Sequence, residues 1–378
     1  MTGAGTPISS GILFRGVVKT DMPKSPAAAK NLPPGSPRKK RALVKEDEQL
    51  YLVNKLGKAR TDQVLLPYNP LPKAFFSSRI PDPFPQSFIY RGSCENFLWH
   101  AKRQQQKFDL IFTSPPYNLG KPYTNYSDDR DLDEYLEWQE GIIADCIECL
   151  EEKGSLCWQV GNYVSNGLVV PLDIKLHPIF KRAGLKLRNR IVWHFGHGLH
   201  CNRRFSGRYE VVLWYTKADD YKFNLDPVRI PSKYPKKKHF KGPKKGQISS
   251  NPLGKNPTDV WSSDDGAIED VWDIPNVKHN HAEKTDHPCQ FPVGLVTRFV
   301  RVLTDQNDAV FDPFLGVGTT AAAAAMWKRR FFGCELNKEY FNQARTRIEL
   351  AANGLLQFRD PDKPIYQPPQ TSSEAIAS

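Results

Sequence analysis

Two spacings of apolar residues alternate along much of this chain. From residue 86 onwards, short apolar runs of strand length are separated by longer segments in which apolar residues recur every three or four positions. This alternation is the pattern of βαβ units, so we predict an α/β fold with a doubly wound, mostly parallel sheet. The predicted strands are Ser87–Tyr90, Asp109–Thr113, Ser155–Val160, Arg190–Phe195, Tyr209–Thr216, Ala309–Phe311 and Arg330–Cys334. The predicted helices are Asp131–Glu152, Leu172–Ala183, Pro292–Leu303, Thr319–Lys328 and Lys338–Ala352.

The alternation is absent from both ends of the chain and from one long internal stretch. Residues 1–45 are rich in Pro, Ser and Lys, which predicts a disordered basic tail, and 46–85 form a Pro-rich extension with a short helical pattern at Glu46–Gly57. Residues 217–285 are too long for a loop inside a compact domain, so they form an inserted functional region or are disordered. The sheet is then divided into two halves, residues 86–216 and 286–358, followed by a loose tail at 359–378.

The charge of the chain favours an anionic partner. The formal net charge is +12 at pH 7 and the sequence pI is about 9.2, a balance typical of proteins that bind nucleic acid. No apolar run is long enough to span a membrane and no charged-then-apolar leader is present, so we expect neither a membrane anchor nor secretion. The seven cysteines, an odd number in a long chain, predict a reducing compartment without a disulfide framework.

The most distinctive motif follows the predicted strand Asp109–Thr113 and reads Thr113-Ser114-Pro115-Pro116-Tyr117-Asn118. Two consecutive prolines cannot continue a central strand, so they form a stiff turn at its carboxyl end, where ligands bind in open α/β sheets. Such a turn suits chemistry on an exocyclic base amine, which is a weak nucleophile. The Ser114 hydroxyl and the Pro115 carbonyl would accept its protons and orient its lone pair, and Tyr117 would stack on a base taken out of the helix. Taken alone, the motif is equally compatible with a proline turn that only ends a strand.

A second motif, Asp312-Pro313-Phe314-Leu315-Gly316-Val317-Gly318-Thr319-Thr320, lies between a predicted strand and a predicted helix. Closely spaced glycines let the backbone approach a ligand, and the helix that follows directs free N–H groups at it. Glu335 ends the next predicted strand, 19 positions after Gly316, and is placed to accept hydrogen bonds from ribose hydroxyls. A nicotinamide site has a third glycine just inside the helix, where this chain has Ala321 and Ala322, so a different cofactor is favoured.

Together the two motifs resemble those of the DNA amino-methyltransferases, which methylate cytosine N4 or adenine N6. The resemblance extends over about residues 86–352 and implies a Rossmann-like methyltransferase sheet, S-adenosyl-L-methionine as the cofactor and double-stranded DNA as the substrate. The catalytic motif precedes the cofactor loop, an order typical of the beta class, or circularly permuted enzymes, in which the intervening segment is the target-recognition region. Ser114 is typical of N4-cytosine enzymes, so we predict that base, with N6-adenine as the alternative.

The resemblance also implies a role for individual residues. Ser114, Pro115, Pro116 and Tyr117 would form the catalytic turn. The predicted cofactor-binding residues are Asp312 at the methionine end, Phe314, Gly316, Gly318 and Thr319 in the glycine loop, Glu335 at the ribose, Gln290 and Phe291 in a covering loop, and Ser93 beside the adenine, where many relatives carry Asp. The predicted DNA-binding residues are Arg203 and Arg204 in a loop before Tyr209, and Lys236, Lys237, Lys238, Lys241, Lys244 and Lys245 in the insert.

Several other interpretations remain open. The chain would also fit a DNA-binding protein with an inactive methyltransferase fold, or a methyltransferase acting on RNA or protein. A C5-cytosine enzyme, suggested by Pro288-Cys289, is disfavoured because that pair lies in the covering loop and not after the catalytic strand. Neither the Cys146/Cys149 pair nor the cluster of His194, His197, His200 and Cys201 predicts a metal site, since the first lies in a helical pattern and the second in a loop expected to touch DNA.

The family also suggests partners and a location. A homodimer and a cognate restriction endonuclease are further partners compatible with the resemblance. We expect the protein in the cytoplasm, associated with the nucleoid, or in the nucleus if the host is eukaryotic. The basic cluster Ser36–Arg41 would be compatible with an import signal there, but a nonspecific phosphate-binding arm or a solvated run of charges is favoured.

Overall fold

A computed structural model describes residues 74–117, 122–123, 126–127, 130–165, 167–195, 200–230, 232, 234–261, 274, 276–277 and 281–359. The predicted basic tail, the helical pattern at Glu46–Gly57 and the C-terminal residues from 360 lie outside them. The strands are β1 (Ala74–Ser77), β2 (Ser87–Arg91), β3 (Phe108–Thr113), β4 (Pro122–Tyr123), β5 (Tyr126–Ser127), β6 (Leu150–Val160), β7 (Asn162–Ser165), β8 (Leu168–Pro171), β9 (Lys186–His194), β10 (Tyr209–Thr216), β11 (Val260–Trp261), β12 (Ala309–Asp312) and β13 (Arg330–Glu335). The helices are α1 (Cys94–Arg103), α2 (Leu132–Glu148), α3 (Leu172–Arg182), α4 (Val293–Leu303), α5 (Thr319–Met326) and α6 (Lys338–Ala352).

Nine of these strands form one sheet in the order β1-β2-β13-β12-β3-β6-β10-β9-β11. Within it β10 runs antiparallel to both of its neighbours, and the other pairings are parallel. The prediction of a mostly parallel, doubly wound sheet is confirmed. The central strands have almost no exposed residues because parallel strands with helices on both faces are buried on both sides.

The core is divided by the sheet into two apolar layers. One layer packs α1, α2 and α3 against one face, and the other packs α4, α5 and α6 against the opposite face. Stacked rings tie β3 and β12 to the first layer: Phe311 lies 4.6 Å from Phe108 and 5.0 Å from Phe97 between ring centroids. Every helix in the described part of the chain is too short or too polar to span a bilayer.

The site is positioned by the neighbouring pair β3 and β12. Val310 pairs with Leu110 and Phe311 with Ile111, so the carboxyl ends of both strands meet at the same sheet edge. The chain continues from β3 to β6 on one side and from β12 to β13 on the other. This change of direction leaves a crevice between the two turns, the usual position of a ligand in open α/β sheets.

The structure differs from the predicted elements mainly at their ends. The predicted helix Asp131–Glu152 ends at Glu148, and β6 begins at Leu150, because residues 150–152 start a long strand. Helix α1 was not predicted, although Ser93 accepts a hydrogen bond from the Asn96 amide and caps it. Strand β1 pairs with β2, so the sheet already includes residues that the prediction assigned to the Pro-rich extension before residue 86.

The predicted insert at 217–285 is only partly separate from the core. Its first residues pack back on the sheet: Phe223 stacks on Trp214, and the Asn224 amide donates to the Val302 carbonyl over 2.6 Å. Near its end, Ile274 accepts a hydrogen bond from the buried Trp193 indole. Between these anchors the chain folds back on itself, since Ile230 pairs with Lys255 and Lys238 pairs with Ile248 outside the main sheet.

Candidate functional site

The Ser-Pro-Pro-Tyr turn is fixed by hydrogen bonds on two sides. Thr113, the last residue of β3, donates its hydroxyl to Asp312 Oδ1 over 2.7 Å and so joins the two central strands directly. The Pro116 carbonyl accepts from the Tyr135 hydroxyl of α2 over 2.9 Å. Pro115 and Tyr117 are buried, whereas Ser114 is half-exposed toward the crevice. The turn is therefore more than the end of a strand, because it presents one hydroxyl from a rigid frame.

The Ser114 hydroxyl is the first member of a chain of hydrogen bonds. Its Oγ lies 2.8 Å from the Tyr117 hydroxyl, which donates to Glu210 Oε2 over 3.2 Å, and the same carboxylate oxygen accepts from Gln159 Nε2 over 2.7 Å. Tyr117 has a single hydroxyl hydrogen, so while it donates to Glu210 it accepts the hydrogen of Ser114. The Ser114 oxygen then keeps its lone pairs for a hydrogen-bond donor in the crevice.

Burial governs the ionisation of this chain. Desolvation raises the pKa of Glu210, against the bonds from Gln159 and Tyr117 that lower it. Burial, followed by the charge of Glu210, holds the pKa of Tyr117 well above its ordinary value, so the phenol stays protonated as a donor. The Tyr117 ring also packs over Gly161, where a Cβ would lie 3.3 Å from the ring. Glycine at 161 therefore leaves room for the ring.

The second motif forms a turn that is stabilised by hydrogen bonds to the buried Asp312 carboxylate. This residue is fully buried; its Oδ1 also accepts from the Phe314 amide over 3.0 Å, and its Oδ2 accepts from the Thr320 hydroxyl over 2.6 Å. Burial raises its pKa to about 6. Asp312 was predicted to face the methionine end of a cofactor, but both of its oxygens bond within the protein and it does not line the crevice. It supports the turn from inside.

The two glycines of this turn have different surroundings. Gly316 (φ +53°) lines the crevice, and a Cβ there would lie 3.1 Å from His287 Nε2. Gly318 (φ +80°) begins α5 behind the crevice, and a Cβ there would lie 2.9 Å from the Cβ of Ala344 in α6. Both positions require a backbone that favours glycine, but only Gly316 is placed to meet a ligand.

A buried arginine fixes the carbonyl side of the glycine turn. Arg347 donates to the Val317 carbonyl over 2.7 Å and to the Thr319 hydroxyl over 3.1 Å. Its guanidinium lies 3.5 Å from Glu283, whose Oε2 also accepts from the Val293 amide at the start of α4. Burial raises the pKa of Glu283 to about 7, and the charge of Arg347 opposes this shift. One ion pair thus connects the glycine turn to the segment that covers it.

That covering segment, residues 281–292, is held by its own side chains. Gln290 Oε1 accepts from the Thr285 hydroxyl over 2.7 Å, and Gln290 Nε2 donates to the Glu283 carbonyl over 2.7 Å. The ring of His287 lies edge-on to Tyr340, 4.7 Å between centroids, and burial lowers its pKa to about 4. A neutral imidazole therefore rests on Gly316.

Glu335 lies opposite, at the carboxyl end of β13. Its Oε1 accepts from the Asn337 amide over 2.7 Å, and burial raises its pKa to about 7 against the backbone N–H groups of Asn337 and Gly316. Ser93, at the end of β2, caps α1 and lies on the same rim. An acidic acceptor and a hydroxyl thus both line the crevice near the carboxyl ends of β13 and β2.

These elements enclose a mostly apolar cleft of about 300 Å³, within the size range of small-molecule sites. It brings together eleven of the thirteen predicted catalytic and cofactor-binding residues, and leaves Asp312 and Gly318 behind its wall. The eleven are Ser93, Ser114, Pro115, Pro116, Tyr117, Gln290, Phe291, Phe314, Gly316, Thr319 and Glu335.

Sequence reasoning missed several residues that shape this site. Glu210 and Gln159 complete the hydrogen-bond chain, Arg347 and His287 hold the glycine turn, and Trp138 lines the cleft under the Arg130 guanidinium, 4.6 Å from its ring centroid. Glu210 could have been identified from the sequence, since a carboxylate at the second position of an otherwise apolar strand is unusual. Gln159, Arg347 and Trp138 lie in strands or helices whose packing partners are distant in sequence, and His287 lies in the covering segment.

The predicted DNA-binding residues lie outside the cleft and are exposed. Arg203 and Arg204 occupy a loop between β9 and β10 that starts and ends at the same sheet edge as the cleft. Lys236, Lys237, Lys238, Lys241, Lys244 and Lys245 are all exposed within residues 230–255. The described residues include no group of three His, Cys, Asp or Glu side chains suited to a metal ion, and His197 lies outside them.

Comparisons with known proteins agree with this geometry. Residues 108–346 match the model of the N6/N4 methyltransferase family, described as DNA methylase. The chain is 48% identical over 271 residues, 71% of each protein, to the type II methyltransferase M.BglII of Bacillus subtilis. It is 35% identical over 276 residues to the type II methyltransferase M.ScaI of Streptomyces caespitosus, covering 71% of this chain and 83% of that protein.

More distant relatives differ in the base that their names specify. The DNA adenine methyltransferase YhdJ of Escherichia coli (strain K12) is 29% identical over 252 residues, 66% of this chain and 78% of that protein. The solved structure of the PvuII DNA methyltransferase, cytosine-N4-specific, aligns with a TM-score of 0.51 at 18% identity over 72% of this chain and 93% of that one, which shows the fold alone. With the family model spanning both motifs and close relatives covering most of its length, the chain belongs to the N6/N4 DNA methylase family.

Proposed function

We propose that this protein transfers a methyl group from S-adenosyl-L-methionine to the exocyclic N4 of cytosine in double-stranded DNA. The observation that carries the proposal is the Ser114 hydroxyl, which the bond to Tyr117 turns into an acceptor facing the cleft. Family membership supports DNA methylation and leaves the base between cytosine N4 and adenine N6. Serine at the first position of the turn supports cytosine.

The residues around the cleft fit S-adenosyl-L-methionine. Gly316 removes side-chain bulk where the backbone approaches the cleft, and the N-terminus of α5 follows it with free N–H groups. Glu335, when ionised, would accept from the ribose hydroxyls, and Phe291 and Phe314 supply apolar walls. Gln290 and Ser93 would border the two ends. Gly318 and Asp312 would act indirectly, by packing and by holding the turn.

The chemistry follows from which atoms of the chain remain available. When bound, the cofactor supplies an electrophilic methyl group. Ser114 Oγ and the Pro115 carbonyl would accept hydrogen bonds from the two amine N–H groups, drawing the nitrogen away from planarity and aiming its lone pair at that methyl group. As the new bond from nitrogen to the methyl group forms, the bond from sulfur to the methyl group would break, S-adenosyl-L-homocysteine would leave, and the nitrogen would release one proton. Tyr117 and Glu210 keep the Ser114 hydrogen directed away from the amine. The transfer then needs no covalent bond between enzyme and base.

Nucleoside analysis of modified DNA tests this proposal. The full chain is expressed in a host that lacks N4- and N6-methylation, and genomic DNA is digested and analysed by mass spectrometry. We expect N4-methylcytosine. N6-methyladenine without N4-methylcytosine would assign the alternative base, and neither product from a folded protein would favour an inactive DNA-binding protein.

The role of Ser114 is tested with purified protein. Ser114→Ala should lower kcat by about 10²- to 10³-fold, as loss of one oriented polar contact at a reacting centre does, and leave the Kd for the cofactor within about twofold. Gly316→Trp should do the reverse, by filling the cleft beside His287. Ser78→Ala, an exposed serine before β2, is the matched control. A loss of cofactor affinity in Ser114→Ala equal to its loss of kcat would contradict the assigned role.

A further inference from the structure

Between Ile230 and Lys255 the chain folds back on itself, and we call this segment the arm. At its base Ile230 pairs with Lys255, and Arg229 donates to the Gly254 carbonyl over 3.1 Å. Further out, the Ser249 amide donates to the Lys237 carbonyl over 2.7 Å, and His239 and Gln247 are joined over 2.9 Å. The two sides of the arm are therefore hydrogen-bonded along its length, and the chain reverses at residues 240–245.

All of the acidic and basic side chains of this arm are basic. Its sequence contains eight lysines and no aspartate or glutamate. The six lysines between 236 and 245 are exposed, although like charges held close together repel one another. A surface of this kind is matched by a polyanion with regularly spaced charges, which is the electrostatic character of duplex DNA.

A solvent-exposed aromatic side chain, Phe240, lies at the tip of the arm. Phe240 is 85% exposed and lies between His239 and Lys241, just before the turn at Gly242 (φ +81°). Isolated exposed apolar residues are ordinary on protein surfaces. This one differs because it is the most distal aromatic residue of a hydrogen-bonded arm whose neighbouring side chains are cationic. Contacts between these cationic side chains and phosphates would bring the Phe240 ring close to the base stack of a duplex, where water would be excluded from it.

We propose that the arm grips duplex DNA and that Phe240 is a wedge inserted between neighbouring base pairs, while the lysines contact the flanking phosphates. The inference rests on the proposed function in one respect, namely that the substrate is DNA. Apolar wedges of this kind partly unstack a base step, and the added contacts offset the unstacking. Unstacking beside the target would also ease the removal of a base from the helix, which an amino-methylating enzyme requires.

Binding measurements separate the two parts of the arm. The full-length protein is titrated into a fluorescein-labelled mixed-sequence duplex of about two helical turns at several salt concentrations. Phe240→Ala should weaken binding about tenfold with no change in the salt slope, because only stacking is lost. The triple variant with Gln at Lys236, Lys237 and Lys238 should lower the slope by about 3, because up to three phosphate contacts are lost. Phe240→Trp should bind within about twofold of wild type.

A second measurement reports the wedge itself. Duplexes carrying 2-aminopurine at successive positions should gain fluorescence on binding wild type, because the analogue brightens when it is unstacked, and should gain much less with Phe240→Ala. Ile174→Ala is the matched control, since it truncates a 63% exposed apolar residue on α3, and it should behave as wild type. Thermal unfolding of Phe240→Ala should match wild type because the ring is exposed.

Two results would overturn the proposal. One is an unchanged affinity and an unchanged 2-aminopurine signal in Phe240→Ala. The other is a shift of sedimentation coefficient in Phe240→Ala without loss of DNA binding, which would assign the tip to a second copy of the chain. Methyl transfer is measured separately on the same preparations. If wild type transfers no methyl group, the proposed function fails, and the wedge is still judged by the binding data.

Discussion

Gly318 offers a test of how tightly the glycine turn is packed. A methyl group added at this position would lie 2.9 Å from the Cβ and 3.0 Å from the Cα of Ala344, so α5 or α6 must shift. The backbone is also left-handed, at φ +80°. Left-handed backbone costs about 1–2 kcal/mol for a residue with a Cβ, and overpacking a close contact costs about 1–3 kcal/mol more. Gly318→Ala should therefore lower the free energy of unfolding by about 2–5 kcal/mol.

Gly184, just after α3, separates the two contributions. Its φ of +81° is nearly the same, but a Cβ there would have no atom within 4 Å. Gly184→Ala should therefore show only the backbone cost of about 1–2 kcal/mol. The difference between the two variants, measured by urea unfolding monitored by circular dichroism, then reports the contact with Ala344.

A double variant makes the test stricter. Ala344→Gly removes the methyl group that Gly318→Ala would strike, at a helix cost of about 1 kcal/mol. The two changes together should destabilise the protein by less than the sum of their separate effects, although the contact with the Ala344 Cα at 3.0 Å remains and limits the relief. If Gly318→Ala and Gly184→Ala differ by less than about 0.5 kcal/mol, or if the double variant is additive, the packing argument is wrong.

Three further predictions concern the cleft. Tyr117→Phe removes the hydroxyl between Ser114 and Glu210, so kcat should fall about 10- to 100-fold while calorimetry shows an unchanged Kd for the cofactor. A change in the cofactor Kd larger than the change in kcat would contradict the role of this hydrogen-bond chain. Burial raises the pKa of Glu335 to about 7, and its ionised form is the proposed acceptor of the ribose hydroxyls. Affinity for the cofactor should therefore rise as pH increases from about 6 to 8, and Glu335→Gln should remove this pH dependence. Arg347→Met leaves the buried Glu283 carboxylate without its cationic partner. The free energy of unfolding should therefore fall by about 3–5 kcal/mol at pH 8, and by less at pH 6, where Glu283 (pKa about 7) can be protonated. Equal losses at both pH values would contradict the assigned ion pair.

The fold could be predicted from the sequence because its main signals are local. Each central strand is a short apolar run ending in a motif, and the alternation with helical segments implies parallel neighbours. That the carboxyl ends of β3 and β12 meet follows from the same rules, and with it the grouping of Ser114, Gly316 and Glu335 in one cleft. The local spacing of polar and apolar residues was sufficient for these features.

Features that depend on packing between distant segments could not be predicted. Asp312 was predicted to contact the cofactor, and the hydrogen bond that its carboxylate accepts from Thr113 depends on the pairing of β3 with β12, which local spacing does not reveal. The partnership of Tyr117 with Glu210 requires the β10 start to lie beside the catalytic turn. The sequence predicts only a lysine-rich insert at the arm, because the segments that its hydrogen bonds join show no periodic pattern of apolar residues.

The hydrogen bond between Thr113 and Asp312 has a consequence for how the protein is made. Its two residues are 199 positions apart, and they bring together turns that lie on either side of the arm in sequence. During synthesis the arm is complete while β12, β13 and α6 are still missing, so a nascent or truncated chain ending before them has its lysines but no cleft. The central strand β3 meanwhile lacks a neighbour on one side, and such an unpaired edge is prone to aggregation until β12 arrives. The cleft is therefore complete only after the last third of the chain has been made and this long-range contact has formed.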